Sequence, residues 1–508
     1  MINSNKLFEI GGLFPPQKHY ERIKGYKENK KLFKGHHCEV FKNNMLQGDR
    51  AKELLYISVN LAGIICKKSA DFLFGEELSV LAGKGEHTPE QIALDRFMEE
   101  NHMNILLYEN AITNAYAGDT FIKVRYGQEF AGELPPELDE PRVIIENVNP
   151  ETVFPETVAW DKSKIKTFHI AVPIYDEEAN QWYLNVESHM SGKIKYCQYT
   201  ITPIHYNSDQ EPERFSIDGI VENSVVEVST GVSVPLVVHI PNLSTSDTWE
   251  GIDDLTELHP LLDEINNRLS QIADILDKHS NPAMAVPSGL LDVDEDGNAQ
   301  FRVAHDKVFE VMGKDDVVPQ YITWNGQLVE AFKELDKLVD MVLVIAEIPA
   351  VALGKGDSGT SGSSGLAIKW RMNSLLAKVN RKKQYYSKGL KQVFYIAQKL
   401  EEVIGIADYK MTVPILHFQD GLPKDNMEEA NIMSIRTGGA KTMSQKTAIM
   451  QLNNMTEEQA EAEIKRIKEE EEANMEIADS GFFNNAEPTE DVVNDVLKGA
   501  KNPSEYVS

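Results

Sequence analysis

Residues 348–386 read IPAVALGKGDSGTSGSSGLAIKWRMNSLLAKVNRKKQYY. Inside this stretch Gly354, Lys355, Gly356, Asp357, Ser358 and Gly359 match G-x-G-x-x-G, the spacing of a dinucleotide-binding turn. Such a turn needs a strand before it, a helix after it and an acidic residue about 20 positions on. The residues before it carry a helical seam instead (Leu328, Phe332, Leu335, Val339, Val342, Ile345), closed by Pro349. After Asp357 no Asp or Glu occurs until Glu401, and no Gly-Lys-Ser/Thr follows the glycines. With Thr360, Ser361, Gly362, Ser363, Ser364 and Gly365 completing it, the segment reads as a mobile connection between two helices, because Gly and Ser leave the backbone most freedom.

Seams on both sides of this loop set the architecture. Apolar residues fall at Ile252, Leu255, Leu258, Leu262, Ile265, Leu269, Ile272 and Leu276, a helical spacing with Pro260 marking a start or kink. After the loop, Ile368, Met372, Leu375, Val379, Tyr386, Leu390, Val393, Ala397, Leu400 and Ile404 predict a helix over 366–404, roughly 58 Å long at 1.5 Å per residue. Between the first two seams, residues 288–325 read as a compact insert with acidic turns and strand-like pieces FRVA and KVFEVM. Upstream, helices are expected over 50–74 and 89–116. Strands are expected at TFIKVRY, RVIIENV, TFHIAVPIY, QWYLNVESHM, KIKYCQYTITPIHY, SVVEV and PLVVHI. YKMTVPILHF is a further strand, residues 425–478 read as helical, and the last 30 residues are polar and acidic. The fold class is α+β.

The chain has 508 residues, and 51 Lys and Arg against 80 Asp and Glu leave it at −29. Such a charge argues against a protein that wraps nucleic acid over its whole surface, but allows a channel through which nucleic acid slides. Cys38, Cys66 and Cys197 form no disulfide framework or zinc pattern, which suits a reducing compartment. The N-terminal segment lacks the order of a signal peptide, and no apolar run is long enough to span a membrane.

Three further motifs read as structural. Asp292-Val293-Asp294-Glu295-Asp296-Gly297 imitates half of a calcium loop, but Val303 stands where the bidentate Glu belongs, so a hairpin turn is expected. The HHCE run at 36–39 has no second ligand pair at zinc spacing and reads as a surface loop. No catalytic motif, metal set or cofactor site emerges. The segregated charge is sharper: from Ser358 to Leu400 there are nine basic residues and no acids, among them Lys369, Arg371, Lys378, Arg381, Lys382 and Lys383. Such a helix docks on an acidic neighbour, in this fold or in a neighbouring subunit, or it touches a polyanion; both readings stay open.

Three stretches, NLAGIICKKSADFLFGEEL (60–78), STSDTWEGIDDLTELHPLLDEINNRLSQIADILDKHSNP (244–282) and the quoted 348–386, occur here in one order. In that order the chain resembles the portal proteins of tailed bacteriophages, in the branch found in siphoviruses of Gram-positive hosts. The likeness runs from about 50 to 470. It implies a portal fold with a mixed α/β wing (1–247), stem helices (248–280 and 326–350), a small β-containing clip (281–325), a tunnel loop (351–365), a long wing helix and strand (366–420), a helical crown (421–479) and a flexible acidic tail (480–508). It further implies a ring, a dodecamer as a rule, at the capsid vertex of the virion, assembled in the host bacterial cytoplasm. Double-stranded DNA would pass the channel. The terminase large subunit, head-completion or adaptor proteins, and major capsid and scaffolding proteins would be partners, with no membrane and no enzymatic activity of its own. Alternatives are a nucleotide-binding enzyme using the Gly354–Gly359 loop, or another capsid or scaffold protein assembling through its helices.

Overall fold

The computed structural model describes residues 7–482 except 46–55, 84–87, 131–132, 136, 208–209, 281–283, 286–291, 294–298, 301–319, 322–327, 356–368, 420, 422–425, 440, 454 and 456. The chain divides into two units, Met1–Gly83 with Pro89–Pro423, and Lys84–Thr88 with Lys424–Ser508.

The first unit begins with β1 (Leu13–Phe14), α1 (Gln17–Phe33), α2 (His37–Met45), α3 (Leu61–Phe74), β2 (Ser79–Leu81), α4 (Pro89–Glu100) and α5 (Met103–Ala117). Nine strands follow in the first half: β3 (Asp119–Gly127), β4 (Arg142–Val148), β5 (Val153–Val158), β6 (Asp161–Asp176), β7 (Gln181–Met190), β8 (Lys193–Tyr206), β9 (Pro212–Ile220), β10 (Val226–Ser229) and β11 (Val237–Pro241). The order β1-β9-β8-β7-β6-β5, with β10 pairing the first residues of β8 (193–196) beyond the stretch that β9 covers, makes a seven-stranded antiparallel sheet. Phe14, Ile23, Phe154, Leu184, Ile201, Phe215 and Ile217 form a core on it. A second sheet, β11-β3-β4, carries the residues that meet the helices.

Next come α6 (His259–Ser280), the short pieces β12 (Met284–Ala285), β13 (Asp292–Val293), β14 (Ala299–Gln300) and β15 (Gln320–Tyr321), then α7 (Leu328–Ile345), α8 (Asn373–Ile404) and β16 (Ile415–His417), which pairs with β2. Pro260 is the second residue of α6, where its missing N–H costs nothing. Asp253 Oδ1 accepts from the amides of Leu255 and Thr256 just before the helix. Leu262, Ile265, Val342 and Leu343 are buried in one core with Leu269, Leu335 and Val339 packed against it, and Arg268 reaches Glu334 at 3.2 Å, so α6 and α7 lie side by side. β12 pairs with β15, Met284 opposite Tyr321, which brings the two ends of the insert together. FRVA and KVFEVM, both within 301–319, lie outside the described residues. Asp292 opposes Gln300 and Val293 opposes Ala299, so the described flanks of the calcium-loop lookalike pair as antiparallel strands, while 294–298 lie outside the described residues.

The second unit holds α9 (Asn426–Thr437), α10 (Gln445–Asn453) and α11 (Glu457–Phe482). Lys446 ties α10 to α11 through Glu457 and Glu461.

Five expectations change. The helix expected over 50–74 starts at Leu61, with Asn60 as its cap, and the strand expected at YKMTVPILHF narrows to Ile415–His417. The helix predicted over 89–116 is two helices, because His102 takes a left-handed φ of 47° and Asn101 leaves the helix to accept from the Ile145 amide. The HHCE run lies at the surface through His36, Cys38 and Glu39 but is not a loop: His37 opens α2, is fully buried and accepts from Asn266 Nδ2 at 3.1 Å. The helix predicted from 366 is α8 from Asn373, preceded by a short helical turn at 369–371.

Candidate functional site

The connection between α7 and α8 starts from a strained corner. Ala346 still bonds back to Val342 O, whereas Glu347 takes a left-handed φ of 58° and Ile348 donates to Leu343 O, the 6→1 closure of a helix C-terminus. Pro349 then opens a 3-10 turn over Ala350–Leu353, capped by Gly354 at φ 72°. Lys355 N closes it on Ala350 O. What precedes the glycine pattern is therefore helix and 3-10 turn; the strand of a nucleotide fingerprint is not there. Gly354 and Lys355 are exposed, and Gly356, Asp357, Ser358, Gly359, Thr360, Ser361, Gly362, Ser363, Ser364 and Gly365 lie outside the described residues.

The basic residues of the segment separate into two kinds. Lys369 and Arg371 are exposed and flank the exposed Trp370. Arg381 pairs with Glu347, both partly exposed, and Lys383 donates to Gln419 O at 2.7 Å. Lys378 and Lys382 turn inward, with 9% and 5% of their side chains exposed. Their spacing explains it: 375, 378, 379, 382 and 386 share the face of α8 that packs on the core, so the two lysines occupy seam positions. Both reach Asp254, Lys378 Nζ at 3.2 Å from Oδ1 and Lys382 Nζ at 2.7 Å from Oδ2. Lys378 also donates to Ala346 O at 3.0 Å.

Asp254 is placed by its backbone. Its amide donates to Ala115 O, and three residues earlier the chain crosses α5's end so closely that a Cβ on Gly251 would stand 2.0 Å from Gly118 O. Asn242 Nδ2 donates to Asp254 Oδ1 at 2.9 Å. Burial alone would raise the Asp254 carboxyl; the two ammonium groups and the Asn242 amide outweigh it and hold the group well below the usual carboxylate range. Burial lowers the pKa of Lys382, with Asp254 pulling upward and Lys378 pushing further down. Burial also pushes the neighbouring Cys66 thiol far up, so it is inert at neutral pH. A cavity of about 160 Å³ opens beside this cluster, lined also by Leu243, Ile252 and Glu347.

The sequence offered Lys378 and Lys382 as basic residues and missed their partners Asp254, Asn242 and Ala346 O. The available signal was two lysines at apolar-seam positions, which demands a buried acid somewhere, without saying where. Among the described residues no group of three or more His, Cys, Asp or Glu could hold a metal ion, and no helix is long and apolar enough to cross a membrane.

The model of the family described as phage portal protein, SPP1 Gp6-like, matches residues 16–476. The chain belongs to the portal protein family. No curated protein matches it. In this portal-family chain, the charged cluster thus sits where the paired helices meet the long helix, on the two sides of the glycine-rich connection.

Proposed function

We propose that the chain is the ring-forming portal subunit of a tailed phage. It lines a channel at the capsid vertex through which double-stranded DNA is packaged and ejected, and it docks the terminase large subunit and head-completion proteins. The family match over 16–476 carries this proposal. The arrangement of the first unit supports it: α6 and α7 lie side by side, and the insert they bound has its two ends paired through β12 and β15. In that reading 1–247 and 366–420 make the wing, 248–280 and 326–350 the stem, 281–325 the clip, 351–365 the tunnel loop and 421–479 the crown, with 480–508 a tail. The ring is a dodecamer that contacts major capsid and scaffolding proteins, assembled in the host cytoplasm. The strongly acidic total suits a conduit, since it repels DNA that would otherwise stall on the wall.

Negative-stain images of the purified full chain test the first half. Rings with a central hole and about twelvefold symmetry are expected for a closed cyclic oligomer; a compact monomer that binds nucleotide sinks the proposal. The loop is tested by replacing Gly359, Gly362 and Gly365 together with Ala. Stiffening is expected to cut packaging. Normal packaged DNA length and titre would show that loop freedom is not needed.

A further inference from the structure

Two ammonium groups face one carboxylate at the cluster of Asp254, Lys378 and Lys382, and each side chain is less than a tenth exposed. A buried uncompensated cation is costly. The compensation comes from the end of α7, where Ala346 O accepts from Lys378 and the last carbonyls carry the partial negative charge of a helix C-terminus. The balance therefore holds only while three segments stay together: the connection ahead of α6, the end of α7, and α8. If α7 withdraws, Lys378 loses its carbonyl and the cluster keeps an extra positive charge. If Asp254 withdraws, two buried ammonium groups face each other. Apolar contacts slide with gradual loss, whereas short charge-assisted bonds of fixed geometry do not. The same three segments hold both roots of the α7–α8 connection and the inner ends of both helices of the α6–α7 pair.

We propose that Asp254, Lys378 and Lys382 are positioning residues, a charge hub that makes the start of α6, the end of α7 and the first half of α8 move as one body. A push delivered to the α7–α8 connection is then passed to the α6–α7 pair instead of being absorbed at the roots. The source of the push, advancing DNA, rests on the portal reading; the hub itself is a property of the folded subunit.

Hydrogen exchange on the full-length chain tests it. Lys382→Met leaves Asp254 neutralised by Lys378, so the chain is expected to fold. Its amides at 259–266 and 342–348 are expected to lose protection together with those of 373–386, by about fivefold, as one cooperative unit loosens. Lys382→Arg is expected to restore them, and Lys193→Gln, which removes an exposed pair with Glu227, to change none of them. Loss confined to 373–386 overturns the hub. Should Lys382→Met not fold, Lys378→Met is read in its place: it removes the Ala346 contact as well, so unchanged protection at 342–348 overturns the proposal. The exchange measurement uses no DNA and no ring, so it can fail while rings and packaging persist. Absent rings would sink the portal reading and leave the exchange result standing. In a packaging reaction Lys382→Met is expected to assemble rings yet slow DNA entry; an unchanged rate overturns the hub's role in translocation.

Discussion

Removing the Asp254 carboxylate leaves Lys378 and Lys382 facing each other, both more than nine-tenths buried. Asp254→Asn is expected to cost about 3–5 kcal/mol, the range for a buried ion pair that loses one partner. Lys382→Met, which leaves a neutral pair, is expected to cost far less, about 1 kcal/mol. Urea denaturation of the two variants gives the order directly; equal losses would refute the imbalance argument. The pH dependence follows from the same group. The folded pKa of Asp254 is depressed, so its contribution is fully present above the unfolded carboxyl pKa of about 4 and is lost as pH falls below that value. The wild-type melting temperature is expected to fall more steeply than that of Asp254→Asn below about pH 4; parallel acid limbs would contradict it. None of this was legible at residue 254, one of two adjacent aspartates in GIDDL. Asp253 accepts from the Leu255 and Thr256 amides just ahead of α6, and Asp254 binds lysines from 124 and 128 positions away, a difference that only the fold creates.

At the scale of elements, α8 shows how packing overrides propensity. Gly389 interrupts a long helix where Ala would be the better former, by about 1 kcal/mol. Its missing side chain is what lets α8 lie on β11: a Cβ there would stand 2.5 Å from Ile240 Cγ1 and 2.7 Å from Cδ1. Gly389→Ala is therefore expected to destabilise by about 1–3 kcal/mol, as overpacked cores do. A thermal melt shifted upward would mean that helix propensity outweighs the clash. The long strands were legible because side chains alternate across a sheet: the bounds of β7 and β8 coincide with the runs QWYLNVESHM and KIKYCQYTITPIHY. α1 was not, since its buried face, His19, Ile23, Tyr26, Asn29 and Leu32, includes the polar Asn29, whose partners lie far along the chain. Asn29 donates to Tyr116 O, and accepts from His259. The break at His102 was equally invisible, because apolar periodicity continues across it.

At the scale of the whole molecule, the α6–α7 pair exposes apolar surface that the first unit does not cover. Val329, Phe332, Met341, Val344 and Ile345 of α7 are all exposed, Val344 to 76%. In the proposed ring, neighbouring subunits would supply partner helices for such a face. Val344→Lys is expected to leave the stability of the isolated subunit within about 0.5 kcal/mol, as exposed substitutions do, while preventing ring assembly. Size-exclusion chromatography with negative-stain imaging checks this; intact rings would place the face outside the interface.

The sequence by itself determined the α+β class, the three long seams, the strand runs of the first half and the order of parts that marks the portal family, because each rests on local periodicity or on linear order. It also removed the nucleotide reading of the glycine loop, since the required strand and acid are local features. Only the tertiary structure decided what the basic helix does with its charges. Lys378 and Lys382 close on Asp254 inside the fold, Arg381 meets Glu347, and Lys369 and Arg371 remain exposed. The reason is physical: a lysine's role depends on which carboxylate or carbonyl the packing brings within about 3 Å, and that proximity is written in no stretch of sequence short enough to read.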